Sequence, residues 1–296
     1  MMSARFLTVV LERAFNMRDG FGREIDYMRI SVIDSCNLNC YYCNPCDNNE
    51  HCHALNILSV KEVLCIVRAA TRLGIKHFRL TGGEPLLHPQ LDEMVLQIKK
   101  IPGVSSVSLT TNAVLLAQHA KWLKEAGIDS INVSLDTIDA SEYERITKKP
   151  LLEEVKHGIN AAIECGIRVK INVVLTPQTD VVALTRYVAK KGTDIRFIEM
   201  MPVGEGHTNG VEPYKKVIGT LSKLYGEPCR INTEKTKEIN SGNDKWKIPD
   251  NGPAEYYIFP ELGIRVGLIQ AIHGKFCDTC NRIRVTADGR LMPCLG

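Results

Sequence analysis

From about residue 28 to residue 200 the chain repeats one theme: a short β-branched run, then a longer segment whose apolar residues recur at helical spacing. The strand candidates are Met28–Asp34, His77–Gly82, Ser106–Asn112, Ser130–Asp136, Arg168–Leu175 and Asp194–Met200. Helical segments fill the gaps at Ser59–Leu73, Gln90–Lys100, Leu115–Ala126, Leu151–Glu164 and Asp180–Lys190. The first opens on a serine cap and sets Val60, Val63, Leu64 and Val67 on one face. Gly74, Gly127 and Gly166 stand where helices end. Strand–helix alternation implies parallel strands joined by crossovers, and six such units predict a barrel or a partial barrel. A doubly wound sheet is the other α/β solution.

Beyond Met201 the pattern changes. Gly204–Gly210 reads as a loop and Glu234–Asp250 as an exposed polar stretch. Tyr256–Phe259 and Ile264–Gln270 read as a hairpin. A boundary near residue 205 divides the chain into 1–204 and 205–296. At 44% hydrophobic residues the chain is rich enough to fold. Its 37 Lys and Arg against 34 Asp and Glu leave a net charge of +3, too little for a general nucleic-acid binder. No apolar run approaches the roughly 18 residues of a membrane span. Arg5, Glu12 and Arg13 crowd the first short apolar stretch, so no secretory signal is expected and the cytoplasm is the expected compartment. In that compartment clustered cysteines bind metal or do redox chemistry rather than form disulfides. The chain has eleven.

Six of those cysteines fall into two groups. Cys36, Cys40 and Cys43 form C-x3-C-x2-C just past the first strand, where barrel enzymes place their active sites. Three close thiolates can hold a 4Fe-4S cluster by three irons and leave the fourth open to a chelating ligand. Cys40, Cys43 and Cys46 also open a ferredoxin-like pattern, but Cys52 and His53 do not complete it. Thr81-Gly82-Gly83-Glu84-Pro85 ends the second strand; its glycines let backbone approach a ligand closely, and Glu84 adds charge. Cys277, Cys280 and Cys294 form the second group, C-x2-C-x13-C. It can hold a second cluster, or zinc with His273 as the fourth ligand. Between its cysteines, Arg282 and Arg284 point the same way in an extended chain, and two guanidiniums suit a phosphate-rich ligand.

The C-x3-C-x2-C loop followed one βα unit later by Gly-Gly-Glu-Pro resembles the radical S-adenosylmethionine (SAM) superfamily. Phe276–Leu295, Asn132–Asp136 and Ile195–Gly204 resemble the molybdenum cofactor biosynthesis protein A family of GTP 3′,8-cyclases. That resemblance implies an incomplete (β/α)6 TIM-like barrel with a C-terminal region carrying a second iron–sulfur cluster. It implies two 4Fe-4S clusters, held by Cys36, Cys40 and Cys43 and by Cys277, Cys280 and Cys294. Tyr42, Gly83, Glu84, Ser134 and Met201 match SAM-contacting positions. Arg29, Arg79, Thr110, Lys170, Arg196, Arg282 and Arg284 match GTP-contacting positions. The implied reaction cleaves SAM with an electron from an external flavodoxin- or ferredoxin-like donor, removes the C3′ hydrogen of GTP, and joins C3′ to C8. A homodimer is compatible with the family. A peptide-modifying radical SAM enzyme and an iron–sulfur electron carrier are the rival readings. Asn44, His77 and Ala113 depart from the family pattern, and family members usually extend past the last cysteine to finish in Gly-Gly whereas this sequence stops at Leu295-Gly296, so either it is truncated or this member lacks that tail.

Overall fold

The computed structural model describes residues 17–43, 56–201, 211–231 and 252–294. The six predicted strands are all present: β1 (Tyr27–Ser31), β2 (His77–Thr81), β3 (Ser106–Thr111), β4 (Ser130–Ser134), β5 (Val169–Leu175) and β6 (Asp194–Glu199). They pair in sequence order and in parallel. The five predicted helices are present as well: α1 (Val60–Arg72), α2 (Leu91–Lys99), α3 (Leu116–Glu125), α5 (Leu152–Glu164) and α6 (Val181–Lys190). Ser59 closes a reciprocal capping box with Glu62 at the start of α1, which satisfies two of the amides that a helix start leaves bare. An eight-residue helix, α4 (Ala140–Thr147), has no counterpart in the sequence reading. With Tyr143 and Ile146 as its inward residues it is too short to show a period, and Asp139 starts it by accepting from the Glu142 amide at 2.8 Å.

Beyond α7 (Gly219–Tyr225), the C-terminal strands join both ends of this sheet. The predicted hairpin forms as β8 (Glu255–Phe259) and β9 (Ile264–Ile269), and β9 pairs in parallel with β6. The two-residue β7 (Cys229–Arg230) lies beyond β8. At the opposite end, β10 (Arg282–Val285) runs parallel to β1 and carries the short β11 (Leu291–Met292). Among the described residues the order is therefore β11-β10-β1-β2-β3-β4-β5-β6-β9-β8-β7, an open sheet curved like part of a barrel. No described helix is long and apolar enough to cross a membrane.

The two faces of the strands differ in chemistry. Ile30, Phe78, Leu80, Leu109, Ile131, Val133, Ile171 and Phe197 are fully buried on the helix-covered face, against Val63, Met94, Leu123, Val155 and Val188. Burying each such side chain contributes roughly 1.5–3 kcal/mol. The alternating positions instead carry Tyr27, Arg29, Arg79, Ser108, Asn132, Lys170, Asn172 and Arg196. A parallel strand apolar on both faces reads as a continuous hydrophobic run, so this alternation marks an interior built around a polar ligand.

The chain leaves β3 through Ala113, which is fully buried and adopts a left-handed backbone at φ 66°. A side chain there costs about 1–2 kcal/mol, offset in part by the lower entropy of the unfolded chain. Ala113→Gly is expected to stabilise the protein by about 0.5–1 kcal/mol in denaturant unfolding; a destabilised variant would show that the Ala113 methyl group packs better than the backbone strain costs.

Candidate active site

The loop after β1 carries Cys36, Cys40 and Cys43 over the mouth of the barrel. Its backbone is held by α4: the Asn39 amide donates to Thr147 O at 3.0 Å and the Tyr41 amide to Ile146 O at 3.1 Å. These carbonyls end a helix and would otherwise lack partners. The Arg145 guanidinium, paired with Glu142, stacks on the Tyr41 ring 5.5 Å from its centroid. On the other side the loop rests on the Gly-Gly-Glu-Pro turn. The Gly83 amide donates to Ile33 O and the Glu84 amide to Ser35 O, each at 2.8 Å. A Cβ at Gly82 would run into Ile33 O, and one at Gly83 into the Asp34 and Ser35 carbonyls. The close approach that demands glycine is thus to the chain's own cysteine loop, although Gly83 also lines the cavity.

Glu84 is 1% exposed. Its carboxylate accepts from Thr111 Oγ1 and the Asn112 amide, each at 2.7 Å, and from the Leu86 amide at 3.0 Å. Burial raises its pKa and these donors lower it. Asn112 reaches back to Asn37 Oδ1 at 2.7 Å and to Cys36 Sγ at 3.8 Å. Tyr42 donates its hydroxyl to Asp136, whose other oxygen accepts from the Val174 amide at 2.7 Å. Burial pushes the Asp136 carboxyl up to about 6 and the Tyr42 hydroxyl well above its ordinary range. It also raises the three thiols, Cys40 to about 12. Thiolates at such positions need a cationic partner, which the iron of a cluster supplies, so the donor set fits that group.

Below this loop a cavity of about 330 Å³ runs down the inner face. Its lining brings together twelve of the residues singled out from sequence: Cys36, Cys40, Tyr42, Cys43, Gly83, Glu84, Ser134, Arg29, Arg79, Thr110, Arg196 and Arg282. Lys170 lies at the floor, 1% exposed, with Asn132 and Asp194 as its register partners on the neighbouring strands. Arg284 stands opposite Arg29 in the β10–β1 register and is influenced by Cys294 and Cys280. Met201 follows β6 and is not among the lining residues. Sequence reasoning missed Tyr27, Asn132, Asp136 and Asn172, all of which line the cavity. Their signal was present as polar residues at every second position of otherwise apolar strands. Tyr27 ties two arginines together: Arg79 Nε donates to its hydroxyl, and the Arg282 guanidinium lies over its ring, 4.7 Å from the centroid.

The cations shape the electrostatics of this interior. Burial, then Arg284 and Arg79, hold the Arg29 guanidinium down to about 9. Burial, then Arg196 and Arg168, hold Lys170 down to about 6. Arg196, Arg282 and Arg284 are lowered too, burial being the largest cause. An anion among them would offset the like-charge repulsion.

The second cysteine group lies at the other end of the strands. Because Arg282 pairs with Tyr27 at the start of β1, Cys277 and Cys280 sit beneath the sheet, opposite the first loop. The antiparallel β10–β11 pair, with Arg284 beside Met292, returns the chain so that Cys294 comes back to the same end. Arg23 fixes this segment by donating to Cys277 O at 2.6 Å, and Asn281 by donating to Asp26 at 2.5 Å. His273, the alternative zinc ligand, is engaged through Nδ1 by Glu199. Asn44, Cys46, His51, Cys52 and His53 lie outside the described residues, as do the loop at 204–210, the stretch at 234–250 and the last two residues.

A partial parallel barrel with a three-cysteine loop above its first strand defines a class, and the comparisons agree. The radical SAM superfamily model matches residues 30–184, and the chain belongs to that superfamily. The model "Molybdenum Cofactor Synthesis C" matches residues 193–296. The GTP 3′,8-cyclase of Clostridium perfringens SM101 is 37% identical over 94% of this chain and 83% of its own length. That of Pelotomaculum thermopropionicum is 38% identical over 94% and 84%. Within the superfamily the chain belongs to the family of these cyclases. Among solved structures, Streptococcus suis SuiB bound to precursor peptide SuiA has the same fold, with a TM-score of 0.65 at 15% identity, covering 98% of this chain and 63% of that one.

Two outcomes follow from this geometry. Gly83→Ala is expected to displace the Asp34–Ser35 segment, lower stability by about 1–3 kcal/mol and reduce the iron held by the first cysteine group. Denaturant unfolding and iron analysis would check this, and normal values of both would show that the loop yields freely. Lys170 has a folded pKa far below its unfolded one, so the unfolded chain binds a proton there that the folded chain does not. Stability of the ligand-free protein should therefore rise with pH from about 6 toward the ordinary lysine value. Lys170→Met should flatten that rise and be the more stable protein near neutrality; an unaltered slope would mean that Lys170 titrates normally.

Proposed function

We propose that this protein is a GTP 3′,8-cyclase acting in the first step of molybdenum cofactor biosynthesis, with SAM and two 4Fe-4S clusters as cofactors. The observation that carries this reading is the two-ended cavity. Cys36, Cys40, Cys43, Glu84 and Asp136 cluster at one end and the arginines at the other, where Arg282 is shared with an adjoining concavity that Cys280 lines. In this reading Cys36, Cys40 and Cys43 hold the first cluster, and Cys277, Cys280 and Cys294 the second. Tyr42, Gly83, Glu84, Ser134 and Met201 receive SAM. Arg29, Arg79, Thr110, Lys170, Arg196, Arg282 and Arg284 receive GTP. Residues 1–204 form the partial barrel and 205–296 the region of the second cluster.

When bound, the first cluster and SAM would supply radical chemistry directed at the nucleotide sugar. The protein's part is positioning. The α4 carbonyls and the glycine turn fix the cysteine loop, and Asp136 fixes the Tyr42 ring beside it. The triphosphate offsets the repulsion among the arginines, and guanidiniums bind its oxygens with directional, charge-assisted hydrogen bonds. Lys170 gains its proton as the anion arrives, which strengthens the grip. Electrons come from an external donor, which we take to be flavodoxin- or ferredoxin-like.

Loss of one charged contact costs roughly 1.5–3 kcal/mol, about ten- to a hundredfold in binding or rate. Arg282→Ala with Arg284→Ala should cut GTP cyclisation by at least that factor. Iron content should stay at the wild-type value, and SAM cleavage without GTP should persist. Iron, 5′-deoxyadenosine and cyclised nucleotide are measured on the same anaerobic samples. Undiminished cyclisation would show that Arg282 and Arg284 do not hold the triphosphate, and absence of cyclised nucleotide from the wild type would remove GTP as the substrate.

A further inference from the structure

A second concavity, of about 210 Å³, opens at the N-terminal ends of β5, β6 and β9, beneath the floor of the central cavity. Barrel enzymes do their chemistry at the opposite end of the strands, and nothing in the cyclase reading uses this place. Three cations line it, Arg168, Lys191 and Arg265, with Asp194 as the lining carboxylate. Asp194 is already taken: Arg265 grips both of its oxygens, Nε to Oδ1 at 3.0 Å and Nη2 to Oδ2 at 2.5 Å. Arg168 lies 3.9 Å from Asp194, too far for a hydrogen bond. Its side chain is 35% exposed, so it has given up much of its hydration for that one distant partner. Thr193, 9% exposed, also lines the pocket, and its Oγ1 has no hydrogen-bond partner among the described residues.

A purely structural ion pair would account for Arg265 and Asp194. It leaves Arg168 beyond hydrogen-bonding distance of its carboxylate, the Lys191 ammonium held only over the Tyr187 ring at 5.7 Å, and the buried Thr193 hydroxyl without a partner among the described residues. Guanidinium, ammonium and hydroxyl groups converging in this way match a tetrahedral oxyanion. The lining offers cations and a hydroxyl but no aromatic side chain on which a base could stack, which suits a phosphate rather than a nucleotide. We propose that this basal pocket is a binding site for a small phosphate-like oxyanion, with Arg168 as its principal ligand and Lys191 and Thr193 in support. The proposal stands independently of the identity of the substrate in the central cavity.

The pocket also neighbours the active-site floor. Asp194 is the register partner of Lys170, and Arg168 is one of the groups that hold the Lys170 ammonium down. An oxyanion on Arg168 weakens that repulsion, and whatever effect anion and triphosphate have on each other's binding must be reciprocal.

The test is a calorimetric titration of inorganic phosphate into the reconstituted full chain, without SAM or reductant. GTP is added in slight excess so that the central cavity is filled, and ionic strength is held constant with chloride. About one phosphate should bind per chain, roughly tenfold or more weakly in Arg168→Ala, with partial recovery in Arg168→Lys. A cooperative thermal unfolding transition shows that the variants are folded. Should Arg168→Ala fail that control, Lys191→Ala is expected to weaken phosphate binding on its own. Phosphate binding unaffected in the folded variants, displaced by additional GTP, or indistinguishable from chloride in the wild type would overturn the proposal.

Discussion

The repulsion among buried cations on one concave face is the constraint on which the rest of this structure depends. Arg29, Arg79, Lys170, Arg196, Arg282 and Arg284 come from five different strands and are drawn together by strand register. The nearby carboxylates are committed elsewhere: Glu84 to the end of β3, Asp136 to Tyr42, Asp194 to Arg265 and Glu199 to His273. Such an arrangement lowers stability in the absence of a ligand, because desolvated like charges face one another. The apolar outer face, packed against the helices, makes it tolerable. Stability is thus supplied by one face of each strand and stored as binding potential on the other.

Radical chemistry needs its generating group held firmly above that cationic interior, and the chain does this with local devices. The helix α4 ends where two loop amides require acceptors. The paired glycines let β2 press its backbone against the segment just before Cys36. Asn112 links the end of β3 to the same loop. Each device is a contact between backbone groups or short side chains, which lose little entropy on ordering and hold position well.

The C-terminal residues work through topology. By joining β1 in parallel, β10 carries the second cysteine group to the end of the sheet opposite the first. By joining β6, β9 extends the other side and brings Arg265 to Asp194. The cavity between the two cysteine groups therefore exists only because both ends of the chain share one sheet. Tyr27 marks the junction, with Arg79 from β2 at its hydroxyl and Arg282 from the tail over its ring.

Much of this was legible in the residues. Strand–helix alternation set the six parallel units, cysteine spacing marked both groups, and the arginines were recognisable once the motifs gave them a context. These are signals of local period and spacing, which neighbouring residues carry whatever the chain does later. The helix α4 was not legible, because eight residues hold too little periodicity to separate a helix from a loop. Nor was the reason for the paired glycines, whose crowding comes from a segment nearly fifty positions earlier in the chain. Asp136 and Tyr27 were likewise ordinary strand-end residues until folding brought Tyr42, Arg79 and Arg282 to them. Local sequence by itself determined the elements and the kind of chemistry they can hold. Tertiary structure alone decided which charges face one another, because that depends on strand register and on a C-terminal strand returning beside β1.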